Sequence, residues 1–330
     1  IQVFNDIVFN HAFLSHPMAK MYWNNATGKP SPDNPWFNEN HKMIAEPAGW
    51  WGVDWNHESE HTRYFVDRAL DYWLSEFKFD GFRFDFTKGF GQTAQDPGDP
   101  WASSYDQDRV DILKRMVNVM WTQHPGSVAI FEHLAVNAED KVLADFGISM
   151  WSGVGHHNDV KSFVLGWNGD NPNLYDSGIY NTPARNFIFA NWMSYPESHD
   201  EERITYKSIS SGNSNGTYNI KNLETALKRM ELIGTFFFTI PGPKMFWQFG
   251  ELGYDISINQ NGRLGNKPIY WNYQLNKNRK NLYDVWSSLI KLKTEEPIFE
   301  TKDYTINLAG LGKTIYLNSS SQNVAILGNF

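Results

Sequence analysis

The sequence predicts an α/β protein in which parallel strands alternate with helices in a (β/α) barrel. Strand-like and helix-like segments follow one another along most of the 330 residues, which favours right-handed crossovers between parallel strands. Polar residues cluster where the strands end, and barrel enzymes carry their sites at the carboxyl ends of their strands. A doubly wound open sheet is the alternative, but neither a G-x-G-x-x-G motif nor a P-loop is present.

Hydrophobic spacing predicts the elements in order. A period of two residues indicates a strand, and apolar residues three and four apart indicate a helix. The predicted strands cover residues 2–9, 79–86, 127–131, 146–151, 191–196 and 244–249. The predicted helices lie around residues 66–77, 104–121, 139–144, 223–237 and 282–292. Three further β-like runs follow near residues 304–308, 313–317 and 324–327.

These elements predict two domains. Residues 1–296 would form the barrel, and residues 297–330 would begin a C-terminal antiparallel β domain. Within the barrel, residues 12–58 are rich in loops and proline. This stretch is too long for an ordinary connection, so we expect a small inserted subdomain there.

Composition excludes several classes of function. The net charge of −8 argues against a nucleic-acid or anionic-membrane partner, and no apolar run approaches the roughly 20 residues of a membrane span. The absence of cysteine excludes disulfides and thiolate sites. Aromatic residues make up 16% of the chain, with 14 tryptophans, and such flat rings either stack on sugars or fill cores.

The stretch from residue 79 to residue 88 organises the rest of the chain. Its period of two places Arg83 and Asp85 on one face of a strand whose other face is aromatic. A buried guanidinium needs a partner, so an isolated Arg–Asp pair could be purely structural. However, other predicted strand ends also carry polar residues. These are Asp6, Asn10 and His11 at one end, Glu132 at another, and His199 with Asp200 at a third.

Three carboxylates converging on one sheet edge suit glycoside chemistry. One carboxylate attacks the anomeric carbon, one donates a proton to the leaving oxygen, and the third stabilises positive charge on the ring. His and Arg side chains around them can hold sugar hydroxyls and keep the nucleophile ionised.

These residues resemble the four signature regions of the α-amylase family of glycoside hydrolases, family 13, whose fold is a (β/α)8 barrel. The resemblance covers about residues 1–296, in the family's order and spacing. The matching segments are Asp6-Ile7-Val8-Phe9-Asn10-His11, Gly81-Phe82-Arg83-Phe84-Asp85 with Lys88, Glu132, and Ser198-His199-Asp200.

The resemblance implies a role for each matched residue. Asp85 would be the nucleophile, Glu132 the general acid and base, and Asp200 the stabiliser of the transition state. The implied mechanism is retaining, with the two reacting carboxyl groups about 5–5.5 Å apart. The remaining implied roles are orientation of the nucleophile by Arg83, hydroxyl binding by His11 and His199, contact with an acceptor sugar by Lys88, and structural support by Asp6 and Asn10.

Several tryptophans lie in predicted loops beyond strand ends, where they could stack on sugars or simply pack. We take Trp51 and Trp271 as substrate-binding candidates. The others of this kind are Trp50, Trp55 and Trp167. By contrast, Trp73 and Trp286 lie on apolar helix faces and are predicted to pack in the core.

No cofactor is required for the implied chemistry. The family has a structural calcium ion, and Asn10 is the one ligand of that ion that can be matched in this sequence. Gly89 stands where the family often has histidine. A hard cation needs six or more oxygens, so a calcium ion at Asn10 is an open alternative.

The segment from His57 to His61 also fits the zinc-protease motif H-E-x-x-H. That motif must lie inside a helix, whereas this segment falls where a helix is predicted to begin. We therefore expect a polar helix start and no zinc site.

The matched first region lies on the third strand of the family's barrel. The resemblance therefore implies that the first two β/α units are absent from this sequence. We expect an upstream segment in the natural protein, and the C-terminal β domain looks cut short at Phe330.

The function we predict is retaining hydrolysis of α-1,4-glucosidic bonds in starch-type or glycogen-type glucans or maltooligosaccharides. We expect a monomer whose partner is an α-glucan. Ser198 stands where amylases usually have asparagine. A serine at this position resembles glucan branching enzymes, so transfer to another glucan is the rival activity. A non-catalytic glucan-binding homologue is the alternative from another class. The sequence leaves the cellular compartment undetermined and favours a secreted or periplasmic location.

Overall fold

The computed structural model describes residues 1–43, 52–93, 96–151, 154–166 and 179–330. The chain divides into two compact units. Unit 1 comprises residues 1–151 and 183–191, and unit 2 comprises residues 152–182 and 192–330. The boundary predicted at residue 296 lies inside unit 2. Within the described ranges, no helix has both the length and the apolar character needed to cross a membrane.

Unit 1 alternates strands and helices as the sequence predicts. Its strands are β1 (Phe4–Val8), β2 (His11–Ala12), β3 (Trp23–Asn24), β4 (Lys29–Pro30), β5 (Val53–Asp54), β6 (Gly81–Asp85), β7 (Val128–Phe131) and β8 (Ser149–Trp151). Its helices are α1 (Pro17–Met21), α2 (Glu60–Glu76), α3 (Gln107–Gln123) and α4 (Asn137–Ala144).

The parallel sheet of unit 1 has the strand order β1-β6-β7-β8. Helices α2, α3 and α4 lie in the connections between successive strands, as in βαβ units. The register pairs Asp6 with Arg83, Val8 with Asp85, and Arg83 with Ile130. Consequently the polar ends of β1, β6 and β7 meet at one edge of the sheet.

Strands β6 and β7 approach closely at Gly81. A Cβ atom at this position would lie 2.1 Å from the carbonyl oxygen of Val128, so no larger residue fits without displacing the backbone. On the far side of the sheet, Phe82 and Phe84 are fully buried. The neighbouring helix α3 presents an apolar face that includes Val110, Leu113 and Val117, and it starts at Asp106, whose carboxylate accepts from the N–H groups of its first turn.

The predicted insertion between residues 12 and 58 has a small apolar cluster of its own. This cluster contains Ala12, Ala19, Phe37, Val53 and Trp55. The Trp55 ring is 2% exposed and stacks on Phe65 at a centroid distance of 5.2 Å. Of the two alternatives that the sequence leaves open for Trp55, stacking on a sugar or packing, the structure shows packing in this cluster.

Unit 2 contains helices and short antiparallel sheets. Its elements are α5 (Val154–Leu165), β9 (Trp192–Met193), α6 (Ile204–Ser211), β10 (Ser214–Asn215), β11 (Tyr218–Asn219), α7 (Leu223–Thr239), α8 (Lys277–Glu295), β12 (Tyr304–Asn307), β13 (Gly312–Asn318) and β14 (Asn323–Asn329).

The core of unit 2 lies between α7, α8 and the C-terminal sheet. Trp286 is 1% exposed, and its indole N–H donates to the carbonyl of Met230, so its predicted core position is confirmed. Strands β12, β13 and β14 pair antiparallel in chain order, which confirms the predicted C-terminal strand group.

One predicted strand of unit 2 is nearly lost. The segment at 244–249 makes a single parallel bridge, between Lys244 and Ser194, and is otherwise irregular. The N–H of Met245 donates to the carbonyl of Ser194 at 2.9 Å, and the pairing ends there.

Candidate active site

The guanidinium of Arg83 is the centre of a carboxylate cluster in unit 1. Its Nη1 lies 2.6 Å from Asp85 Oδ1 and 2.9 Å from Asp6 Oδ1. Its Nη2 lies 2.8 Å from Glu132 Oε2. Arg83 itself is 5% exposed, and its guanidinium lies 5.0 Å from the ring centroid of Trp151. Three acids from three neighbouring strand ends therefore meet at one buried cation.

The strand register places these acids. Arg83 and Asp85 share a face of β6 because they are two residues apart. Asp6 lies opposite Arg83 on β1. The N–H of Glu132 donates to the carbonyl of Phe84 at 3.0 Å, so pairing between β6 and β7 extends to Glu132.

A strained turn after Asp85 also holds Glu132. Phe86 has a φ of +45°, in the left-handed region that residues with a side chain rarely adopt. The turn directs the N–H of Phe86 to Glu132 Oε2 at 3.1 Å and the N–H of Thr87 to the carbonyl of Glu132 at 2.8 Å. Sequence reasoning missed this turn, since its residues lack the Gly or Asn that usually signals a positive φ.

Arg83 carries a permanent positive charge. Burial acts to lower the pKa of Arg83, but the carboxylates of Glu132, Asp6 and Asp85 outweigh it and raise the pKa further above its ordinary value. The exposed fractions of the acid side chains differ, at 58% for Asp6, 25% for Asp85 and 13% for Glu132. The two acids predicted to react are thus the more enclosed ones.

Unit 2 contains a second polar group at the predicted fourth strand end. His199 Nε2 lies 3.1 Å from Asp200 Oδ2. Arg263 was not predicted. It donates to the carbonyls of His199 and Asp200 at 3.0 and 2.8 Å, and to Asp200 Oδ1 at 3.1 Å. A cavity of about 450 Å³ opens beside this group and is lined by Ser198, His199, Trp247 and Arg263 among others of unit 2.

Comparisons with known proteins bear on this arrangement. No protein-family model matches the chain. The 1,4-α-glucan branching enzyme GlgB of Nitrosococcus oceani is 24% identical over 248 residues, which is 70% of this chain and 31% of that protein. The chain thus spans about a third of the length of this curated relative.

Solved structures match nearly the whole chain. Eubacterium rectale Amy13B has a TM-score of 0.72 at 15% identity, covering 100% of this chain and 69% of that one. Pullulanase type I from Bacillus subtilis, complexed with maltose, has a TM-score of 0.71 at 17% identity, covering 100% and 47%. An α-amylase from Geobacillus thermoleovorans, complexed with acarbose, has a TM-score of 0.68 at 16% identity, covering 99% and 65%.

The chain has the fold of the α-amylase family. The predicted fold class is confirmed, because these matches are (β/α)8-barrel enzymes and the chain has the parallel sheet and the C-terminal antiparallel strands of a partial barrel. The roles that the α-amylase resemblance implies for individual residues stay predictions.

Lys88 has hydrogen-bond partners outside the cluster around Arg83. Its side chain is buried, and its ammonium donates to Ser103 Oγ at 3.1 Å and to the carbonyl of Leu134 at 3.3 Å. Burial and the charge of Arg109 lower the pKa of Lys88. The ammonium would have to leave these partners to contact an acceptor sugar, and that contact stays a prediction.

The Asn10 side chain is fully buried next to His11. Its Nδ2 lies 3.2 Å from His11 Nδ1, and its Oδ1 has no hydrogen-bond partner among the described residues. Gly89 packs directly against this oxygen, since a Cβ there would lie 1.7 Å from it. The described residues hold no group of three or more His, Asp or Glu that could bind a metal. A structural calcium ion at Asn10 stays a prediction.

The candidate tryptophans have different positions. Trp271 is 69% exposed, and its ring meets the edge of Phe249 at a centroid distance of 5.0 Å, so it is free to stack on a ligand. Trp51, Trp50 and Trp167 fall outside the described residues.

The H-E-x-x-H segment is a helix start. Ser59 caps α2, and its hydroxyl accepts from the N–H of His61. His57 precedes the helix, is buried, and stacks on Phe90 at a centroid distance of 4.0 Å. A zinc site of this type requires both histidines on one face of a helix, and His57 lies before the helix begins.

Proposed function

We propose that the protein is a retaining glycoside hydrolase that cleaves α-1,4-glucosidic bonds in α-glucans. The observation that carries the proposal is the pairing of Asp85 and Glu132 with one guanidinium at adjacent strand ends. Two carboxyl groups held this way can act on opposite sides of one glycosidic bond. The similarity to a glucan branching enzyme and to the folds of an α-amylase and a pullulanase supports an enzyme that processes α-glucans.

In the first step, an oxygen of Asp85 forms a bond to the anomeric carbon while the bond to the glycosidic oxygen breaks. Glu132 gives its proton to that departing oxygen. In the second step, Glu132 takes a proton from water as the water oxygen attacks the same carbon and releases Asp85. Two inversions at one carbon give net retention.

Arg83 supports both steps. Before reaction, its Nη1 lies 2.6 Å from Asp85 Oδ1 and holds this carboxylate in place for attack. Once Asp85 is esterified, it no longer carries a negative charge, and Arg83 then pairs with Asp6 and Glu132 alone. Arg83 Nη2, 2.8 Å from Glu132 Oε2, thus holds this carboxylate in place while it acts as the base.

The remaining predicted residues would bind the glucan. Asp200 would stabilise positive charge on the ring, His11 and His199 would hold hydroxyls, and Trp271 would stack on a sugar face. The contact of Arg263 with Asp200 would help to fix the direction of that carboxylate.

The test compares Asp85→Asn and Glu132→Gln with Asp6→Asn. Loss of a covalent or proton-transfer group is expected to lower kcat on soluble starch at least about a thousandfold. Asp6→Asn is the matched control, because it also contacts Arg83 but is more than half exposed, and it should lose much less. Proton NMR of the first products should detect the α-anomer. Unchanged turnover in Asp85→Asn or Glu132→Gln, or a β-anomer, would reject the mechanism.

Branching is the second candidate, favoured by the GlgB similarity and by Ser198. The Ser198 hydroxyl donates to Glu201 and accepts from the N–H of Asp200 at 3.1 Å, so it shapes the turn at this carboxylate. Amylose separates the two activities, since hydrolysis creates reducing ends and branching creates α-1,6 branch points. Pullulan tests cleavage of α-1,6 bonds. Binding of glucan without turnover would favour the non-catalytic alternative.

A further inference from the structure

We propose that Thr87 and a buried chain of Arg109, Glu139 and His133 position Glu132 relative to Asp85. The inference rests on the proposed function, since it assigns positioning residues to the same pair of carboxyl groups. This chain of hydrogen bonds and ion pairs cross-links the turn that follows β6 to the residues that follow β7.

The first part of this chain is an ion pair with no access to water. Arg109 Nε lies 2.6 Å from Glu139 Oε1, and Nη2 lies 2.7 Å from Glu139 Oε2. His133 Nε2 lies 2.8 Å from Glu139 Oε1. All three residues are at most 1% exposed. Arg109 also donates to three backbone carbonyls, those of Lys88, Ala102 and Ser104.

The second part leads to the active-site turn. Thr87 is fully buried, and its Oγ1 lies 2.9 Å from His133 Nδ1. Its backbone N–H donates to the carbonyl of Glu132 at 2.8 Å, and its Oγ1 lies 3.2 Å from that carbonyl. Thr87 therefore touches both Glu132 and His133, while it follows Asp85 by two residues.

The protonation states fix the direction of each bond. Burial alone would raise the pKa of Glu139, but hydrogen bonds from His133 and Arg109 outweigh it and lower the pKa to about 2. Burial lowers the pKa of His133, which favours neutral imidazole. Ionised Glu139 can only accept, so His133 Nε2 carries the proton. Nδ1 is then left to accept the single hydroxyl proton of Thr87, and the backbone N–H of Thr87 makes the hydrogen bond to the carbonyl of Glu132.

This arrangement is poorly explained as a device for stability. A buried ion pair must overcome the desolvation of both charges, and apolar residues of similar volume often stabilise a fold as well or better. Geometry gives a better reason, because a small displacement of a reacting group can cost about a hundredfold in rate. Arg83 and the N–H of Phe86 hold the Glu132 carboxylate, and the contacts of Thr87 fix the backbone from which that side chain projects.

The decisive experiment compares Thr87→Val with Thr87→Ser. Valine keeps the shape of threonine and removes the hydroxyl, so kcat on starch should fall about ten- to a hundredfold with KM changed by less than about threefold. Serine keeps the hydroxyl and should restore most of kcat. Thermal melting checks that both variants fold. Equal losses in both variants, or a loss in KM alone, would overturn the inference.

Two further variants keep the outcome interpretable. Glu139→Gln keeps volume but removes the charge that orients His133, and should lower kcat in the same way even if Thr87→Val does not fold. Asp85→Asn tests the proposed function separately. If Asp85→Asn abolishes turnover while Thr87→Val and Glu139→Gln leave kcat unchanged, the proposed function stands and the positioning role is rejected.

Discussion

At the scale of single residues, charge distribution distinguishes Arg83 from Arg109, which are both buried in unit 1. Arg83 meets three acids, all of which are at least partly open to solvent, and so lies at a site that a substrate can reach. Arg109 meets one fully buried acid and backbone carbonyls. The surroundings of Arg83 suit a catalytic site, and those of Arg109 suit a structural role. No pattern in the sequence distinguishes the two residues.

Asp140 is a buried acid that the proposed chemistry does not use. Its side chain is 4% exposed, and one of its oxygens has no hydrogen-bond partner among the described residues. Burial, helped by the charge of Glu139, raises the pKa of Asp140 to about 8. The folded protein therefore holds a proton on Asp140 at neutral pH, whereas an unfolded chain would release it near pH 4.

We expect Asp140→Asn to become progressively more stabilising, relative to the wild type, as pH rises from about 4 to about 8. In this window the native state binds the proton and the unfolded state does not, so the wild type loses stability as pH increases. Asparagine has no proton to lose. Urea unfolding of both proteins at several pH values measures the difference. A constant difference across the window would contradict the raised pKa.

At the scale of elements, the end of β6 depends on close contact with β7. Gly81 allows the approach at the start of the strand, and the left-handed turn at Phe86 completes it at the other end. Between these points the register places Arg83 beside Asp6 and close to Glu132. The strand is therefore both a core element and the frame of the site.

Gly81→Ala should destabilise the protein by about 2–4 kcal/mol, since the added methyl group would meet the backbone of Val128. Gly312→Ala in β13 is the matched control. A Cβ at Gly312 would have no atom within 4 Å, so this change should alter stability by less than about 1 kcal/mol. Chemical denaturation measures both. Similar losses in the two variants would show that the close approach at Gly81 does not matter.

At the scale of the whole molecule, the chain has two compact units, each with its own buried apolar residues. The candidate acids divide between them, with Asp85 and Glu132 in unit 1 and Asp200 in unit 2. Units with separate cores are expected to respond separately to damage in one core.

Trp286→Ala should cost about 3–5 kcal/mol, because it removes a fully enclosed ring from the core of unit 2. Hydrogen exchange should then accelerate in α7 and α8 more than in α3 and β6. Trp271→Ala is the control, since Trp271 is 69% exposed and its loss should leave exchange rates unchanged. Uniform acceleration through both units would indicate a single cooperative unit.

The sequence alone determined the alternating elements, the C-terminal strands and the residues at the strand ends. Periodicity and strand-end polarity are local signals, so the period of two is enough to place Arg83 and Asp85 on one face of a strand. Even so, the strand predicted at 244–249 is reduced to a single bridge, because tertiary pairing overrides local propensity.

Only the tertiary structure decided which side chains touch. Arg83 meets Asp6 across 77 positions of sequence, and His133 meets Thr87 across 46. It also decided that Lys88 and Trp55 are buried, although local patterns allowed both to face a substrate. The reason is physical: hydrophobic spacing reports the faces of one element, whereas burial and hydrogen bonding depend on which elements pack together and in what register.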